Sequence, residues 1–118
     1  MELFDTTQIG LERALSGSSM RQQAIAQNIA NVNTPGYKRK DVDFQTALHD
    51  AWNDGKPAVE GASITAKQDD ATTMRADGNA VDIDAEASEQ AKNGLTYEAV
   101  SQLMKTRISI IKTAIGTI

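Results

Sequence analysis

The stretch Gln27-Asn28-Ile29-Ala30-Asn31-Val32-Asn33-Thr34-Pro35-Gly36-Tyr37 decides how this chain is read. It begins in a helical pattern, with Ile25, Ile29 and Val32 recurring at spacings of four and three. It ends abruptly. Pro35 disfavours the α conformation at Thr34, so a helix should finish at or just before Asn33. Asn is also one of the few residues besides Gly that tolerate the left-handed conformation often used to close helices. Thr34-Pro35-Gly36-Tyr37 has the composition of a type II turn, with Pro at the second position and Gly supplying a positive φ at the third. Asn28, Asn31 and Asn33 crowd the last turns although Asn is a mediocre helix former. Their amides either cap the helix end or bind something, with a neighbouring chain's backbone the first candidate.

Working back from this corner, residues 5–33 read as one amphipathic helix. Asp5 is a suitable N-cap, Gln8 completes a capping box, and Phe4 and Ile9 occupy the positions of a hydrophobic staple. Leu11, Leu15, Ser18, Gln22, Ile25, Ile29 and Val32 form a thin seam with a polar middle, weakened further by Gly17. Working forward, Lys38-Arg39-Lys40 is a short basic patch followed at once by Asp41 and Asp43, which reads as a solvated face. Phe44, Leu48 and Trp52 step by four and predict a short helix over 43–52, with an extended lead-in through Val42 and Phe44 as the alternative. Residues 54–80 hold no period of 3.6 or 2. They read as a loop that is flexible until a partner orders it, since a strand at Ala62-Ser63-Ile64-Thr65-Ala66 would have nothing to pair with.

Residues 82–118 carry the strongest periodicity. Asp82 or Asp84 can cap the start, Glu86 and Glu89 suit the positive end of the helix dipole, and Lys105, Arg107 and Lys112 suit the negative end. Ile83, Ala87, Gln90, Gly94, Tyr97, Ser101, Met104, Ile108, Ile111, Ile115 and Ile118 form one row. Val100, Leu103, Ile110 and Ala114 form a second beside it, so the apolar face is too wide for a two-stranded seam. The fold class expected is therefore mainly α: long N- and C-terminal helices packed as an antiparallel coiled-coil-like pair, with a short helix or extended segment and a flexible loop between them. The Ile-rich rows lack cover within the chain, so the chain should be incomplete alone and ordered within an oligomer.

The totals narrow the function. A length of 118 residues suits one domain, here 1–118 divided into 5–33, 34–81 and 82–118. A net charge of −4 argues against a nucleic-acid partner. There are no cysteines, so disulfides, thiolate metal sites and Cys nucleophiles are excluded. His49 is the one histidine, and a zinc site built mainly of carboxylates would be unusual. The carboxylate-rich run Asp77-Gly78-Asn79-Ala80-Val81-Asp82-Ile83-Asp84 fails the EF-hand register, because placing Gly78 sixth puts Thr73 and Arg75 at ligand positions. It reads instead as a turn at Asp77-Gly78-Asn79, a buried Val81/Ile83 pair and a helix cap. No cofactor is expected, and nothing points to an enzyme. The N-terminus has neither the basic segment nor the apolar run of a signal peptide, and no stretch reaches the roughly 20 apolar residues of a membrane span, so no direct lipid anchoring is expected.

Taken together, Asn28-Ile29-Ala30-Asn31-Val32-Asn33-Thr34-Pro35-Gly36-Tyr37 resembles the block shared by the axial proteins of the bacterial flagellum: rod, hook and hook-associated subunits. The pairing with a C-terminal heptad helix is similar too. The chain lacks the inserted outer domains of hook and distal rod subunits. The stretches Asp77–Asp84, Ala91-Lys92-Asn93 with Leu95 and Tyr97, and Tyr37-Lys38-Arg39 with Asp41, Val42 and Phe44 resemble the proximal rod branch. The resemblance implies a structural subunit, exported by the flagellar type III apparatus without a cleaved signal. It implies assembly into the torque-transmitting tube that crosses the periplasm and lines the export channel. The partners implied are further copies of the chain, other rod proteins, the hook–basal-body adaptor and the inner-membrane ring at the rod base. Interface residues are then expected at Asn28, Asn31, Asn33, Thr34, Pro35, Gly36 and Tyr37, at Asp77, Gly78, Asn79, Val81 and Asp82, and along Tyr97, Met104, Ile108, Ile111, Ile115 and Ile118. The competing readings are a soluble helical-hairpin adaptor or export chaperone holding one client on the same stripe, and a carboxylate metal enzyme.

Overall fold

The computed structural model describes residues 5–70 and 81–116. Phe4, Asp77, Gly78, Asn79 and Ile118 lie outside the described residues. The order of elements is α1 (Thr6–Ala30), β1 (Lys40–Asp41), α2 (Phe44–Asn53), α3 (Lys56–Glu60), β2 (Lys67–Gln68) and α4 (Ile83–Ile115). Thirty-three residues make α4 about 50 Å long, and α1 runs beside it. Cross-helix pairs fix the direction. Asp5 meets Arg107, Ser18 and Gln22 meet Asn93, Arg21 meets Glu89, and Asn28 meets Glu86. Rising numbers on one helix meet falling numbers on the other, so the pair is antiparallel, as expected.

The caps follow from local chemistry. Asp5 accepts the Gln8 N–H at 2.9 Å, Asp43 accepts that of Thr46 at 3.2 Å, and Asp82 accepts those of Asp84 and Ala85 at 2.9 and 3.3 Å. Each satisfies orphan donors of a first turn. The Gln8 side chain does not return to Asp5; it turns along the helix to Glu12, leaving the capping box half made. At its other end α1 stops at Ala30, three residues before Asn33, with Asn31 as C-cap at φ −105°. Among the described residues no side chain other than Gly takes a positive φ, so the helix closes without a left-handed Asn.

The core is small and lies where α1 receives α2 and β1. Ala24, Val42 and Phe44 are its buried centre, with Ala14, Met20, Leu48 and Ile64 packed on it. Gly17 is the seat of Phe44: a Cβ there would stand 2.4 Å from the Phe44 ring. What reads as a weak point of α1 in sequence is the close approach that lets α2 dock.

The middle segment is more structured than expected. Gly55 at φ +94° starts α3, Pro57 lies in its first turn, and Val59 is fully buried. Strand β2 pairs antiparallel with β1, Lys40 opposite Gln68 and Asp41 opposite Lys67. A five-residue helix and a two-residue strand are too short to leave a period, which is why the sequence pattern over 54–70 looks like loop.

Candidate subunit interface

The Asn-rich corner resolves into a buried polar clasp. Asn28 is fully buried. Its Nδ2 donates to the Lys40 carbonyl at 2.8 Å and to Glu86 Oε2 at 3.2 Å. Its Oδ1 accepts the Lys40 N–H at 2.8 Å and the Tyr37 hydroxyl at 3.0 Å. Both amide protons and both lone pairs are thus used. The turn brings Tyr37 and Lys40 back to α1: the Tyr37 N–H donates to Thr34 O at 3.2 Å, and Gly36 sits at φ +77°. That is the expected turn. Asn31 donates to the Gln27 carbonyl and accepts from Thr34 Oγ1, holding the approach to it. The amides of Asn28 and Asn31 thus bind groups of their own chain, as does the Tyr37 hydroxyl. Asn33, Thr34, Pro35 and Gly36 remain exposed at the surface.

Glu86 extends the clasp to α4. It is 2 % exposed and also accepts Arg39 Nε at 2.7 Å, while Arg39 Nη1 donates to Asp69 at 2.8 Å. Burial pulls the Arg39 guanidinium down, but its hydrogen bonds to Glu86 and Asp69 outweigh that and hold it above its ordinary value. Burial, helped by the Glu86 charge, pushes the Tyr37 phenol up. Arg39 is thus no part of a solvated basic face. It ties the start of α4 to the end of the middle segment. Lys38 does stay at the surface, paired with Asp70.

The second feature is the orientation of α4. Its two buried residues are Glu86 and Asn93, and Glu89, Thr96, Val100, Met104, Arg107 and Ile111 are half-buried beside them. The row facing α1 is therefore 86, 89, 93, 96, 100, 104, 107 and 111, offset in its first half from the row expected, 83, 87, 90, 94 and 97. The offset has a cause. Glu89 pairs with Arg21, Asn93 with Ser18 and Gln22, and Arg107 with Asp5, so polar pairing sets the register; Val100, Met104 and Ile111 share the row facing α1, and the other large apolar residues are turned outward. Ile83, expected buried with Val81, is 48 % exposed while Val81 is 1 %. Leu95, Tyr97, Leu103, Ile108, Ile110 and Ile115 all lie between 47 and 70 % exposed. Because Arg107 meets Asp5, residues 108–115 run about 12 Å past the described start of α1.

Among the described residues no group of three or more His, Cys, Asp or Glu could hold a metal, and no helix is long and apolar enough to cross a membrane. His49 is exposed on α2.

The chain is similar in sequence to known proteins. Residues 11–38 match the family model described as "Flagella basal body rod protein". The flagellar basal body rod protein FlgB of Bacillus subtilis is 35 % identical, over 98 % of this chain and 97 % of its own length. That of Aeromonas hydrophila is 34 % identical over 81 and 82 %, and that of Escherichia coli 28 % over 86 and 89 %.

Proposed function

The chain belongs to the flagellar basal body rod protein family, and from that premise we propose that it is a structural subunit of the rod which assembles by packing its terminal helices against those of neighbouring subunits. One observation supports this above the others: α4 leaves Leu95, Tyr97, Leu103, Ile108, Ile110 and Ile115 on its outward side while polar pairs set how it meets α1. A helix that carries leucine and isoleucine on its exposed face has a partner outside the chain. The likeness to rod proteins runs nearly end to end, which favours a rod subunit over an adaptor or an export chaperone.

In this reading the clasp and the outward row have different duties. The clasp gives the subunit its shape, and the row gives it neighbours. The interface comprises the outward row with Tyr97, Ile108 and Ile115, joined by Met104 and Ile111 at its edge and by Ile118. The exposed turn residues 33–36 and the segment 77–82 meet adjacent subunits on the outside. Residues 1–118 act as one rod-core unit, exported by the flagellar type III apparatus without a cleaved signal. The tube it helps build crosses the periplasm, carries torque and lines the export channel. Its partners are other rod subunits, further copies of itself, and the adaptor and inner-membrane ring at the rod base. In a strain lacking the gene, basal bodies should end below the rod, and the wild-type chain should restore rods and be recovered in purified basal bodies. Recovery of the chain only in a soluble complex with one client would refute the proposal.

A further inference from the structure

Over α1, the helices α2 and α4 leave a groove of about 470 Å³ between them. Leu48, His49, Trp52 and Asn53 line it from α2, and Thr96 and Val100 from α4. Trp52 is 47 % exposed, although its ring already rests on Gly10, where a Cβ would stand 2.8 Å from it. It has no deeper seat on α1, so its open side is free for contact from outside. A large, accessible aromatic in an apolar groove is the commonest kind of anchor for a partner. Asp50 and Asp54 follow directly on the groove residues His49 and Asn53, both are exposed, and α2 holds no lysine or arginine.

The far end of α4 has the complementary pattern. Lys105 precedes Ile108 by three places and Lys112 precedes Ile115 by three. Residues three and seven apart share a side of a helix, so the two lysines border a stripe made by the two isoleucines. All four are exposed, and no acidic residue follows Glu98 in the chain. This end also protrudes, because Arg107 already meets Asp5 at the described start of α1. It cannot turn back into its own groove: Val100, which lines that groove, and Ile115 belong to one continuous helix and lie about 22 Å apart.

We infer that the Lys105–Ile115 end of α4 in one copy docks in the α2–α4 groove of a second copy. Ile108 and Ile115 pack on Trp52 and Leu48, while Lys105 and Lys112 face Asp50 and Asp54. A protruding end of about 12 Å fits along α2, which at ten residues is about 15 Å long. The mode is an amphipathic helix laid in an apolar groove, with charges on its flank choosing the partner. The two surfaces are different patches of the same chain. The contact is therefore head to tail, and its repetition builds an open array rather than a closed dimer. The inference rests on the rod-subunit reading and adds to it which two surfaces of neighbouring copies meet.

A charge swap tests it. Asp50→Lys/Asp54→Lys and Lys105→Glu/Lys112→Glu alter exposed residues and should leave helix content unchanged by circular dichroism. Each pair should lower the number of assembled rods roughly tenfold, and the chain carrying all four should recover to within about threefold of wild type. In a second arm, His49→p-benzoylphenylalanine in purified basal bodies should crosslink to the peptide Ile108–Lys112 of another copy. Mass spectrometry identifies the peptide, and co-expressed tagged and untagged chains show that it comes from a second copy. A four-residue variant no better than either pair, or the absence of copy-to-copy capture at 49, would overturn the inference. The rod-subunit reading would survive either result so long as the wild-type chain is recovered in basal bodies; its absence there would refute both.

Discussion

Asn28 shows how much one side chain can decide. Its amide makes four hydrogen bonds to three residues, and two of these hold the Lys40 backbone where β1 must start. Asn28→Asp would remove both donors and set a carboxylate against Glu86. The expected cost is on the order of 3 kcal/mol in urea denaturation. Gly36 acts through φ alone: at +77° with open space around it, it needs flexibility rather than room. Gly36→Val should therefore impair rod assembly more than expression, and normal motility in that variant would count against the turn. Tyr37 offers a titration. Its phenol is held above the ordinary 10.0, chiefly by burial. A group whose folded pKa is raised stabilises the fold fully below its unfolded pKa, and that contribution is lost as pH rises through the folded value. In Tyr97→Phe, where Tyr37 is the remaining tyrosine, absorbance should titrate with a midpoint above 10.0, and stability should fall on that alkaline side. The turn itself was legible in the sequence, because Pro and Gly have narrow conformational meanings. The targets of the Asn amides were not, because an amide's spacing does not say what the chain will bring to it.

Among the elements, the helices with caps and long periods were legible, and the connections were not. Asp5, Asp43 and Asp82 begin their helices as their sequence positions suggest. The carboxyls of Asp5 and Asp43 are held below the usual range, Asp5 by the Gln8 N–H and then Arg107, Asp43 by Thr46. Their contribution is present above the unfolded carboxylate pKa and disappears as pH falls through the lower folded values. Gly17 marks the limit of propensity reasoning. In an isolated helix Gly17→Ala would be stabilising by about 1 kcal/mol. Here the new Cβ would strike the Phe44 ring at 2.4 Å, so the substitution should destabilise and loosen α2, measurable as faster amide exchange across Phe44–Asn53. The register of α4 was missed for a related reason. Periodicity identified its Ile-rich rows and their lack of cover within the chain, but in the first half it put Ile83, Ala87, Gln90, Gly94 and Tyr97 on one row where Glu86, Glu89, Asn93 and Thr96 face α1. Arg21–Glu89, Asn93–Ser18 and Arg107–Asp5 set that register, a choice that apolar spacing does not record.

At the scale of the molecule the uncovered apolar side of α4 is the main result. The chain extends 64 × 29 × 14 Å, too thin to enclose all its apolar residues. Hydrogen bonds and ion pairs, with Val100, Met104 and Ile111, hold α4 on α1, and Leu95, Leu103, Ile108, Ile110 and Ile115 stay exposed. Burying one such side chain contributes roughly 1.5–3 kcal/mol, so a row of them suffices for assembly where a monomer gains nothing. The most direct measurement is rod assembly by the double variant Ile108→Asp/Ile110→Asp. Both residues are at least half exposed, so the substitutions leave the subunit's own packing alone. The expected result is a chain that is exported with unchanged helix content and builds no rods. Normal rods from that variant would contradict the assignment of the outward face of α4 as the subunit interface.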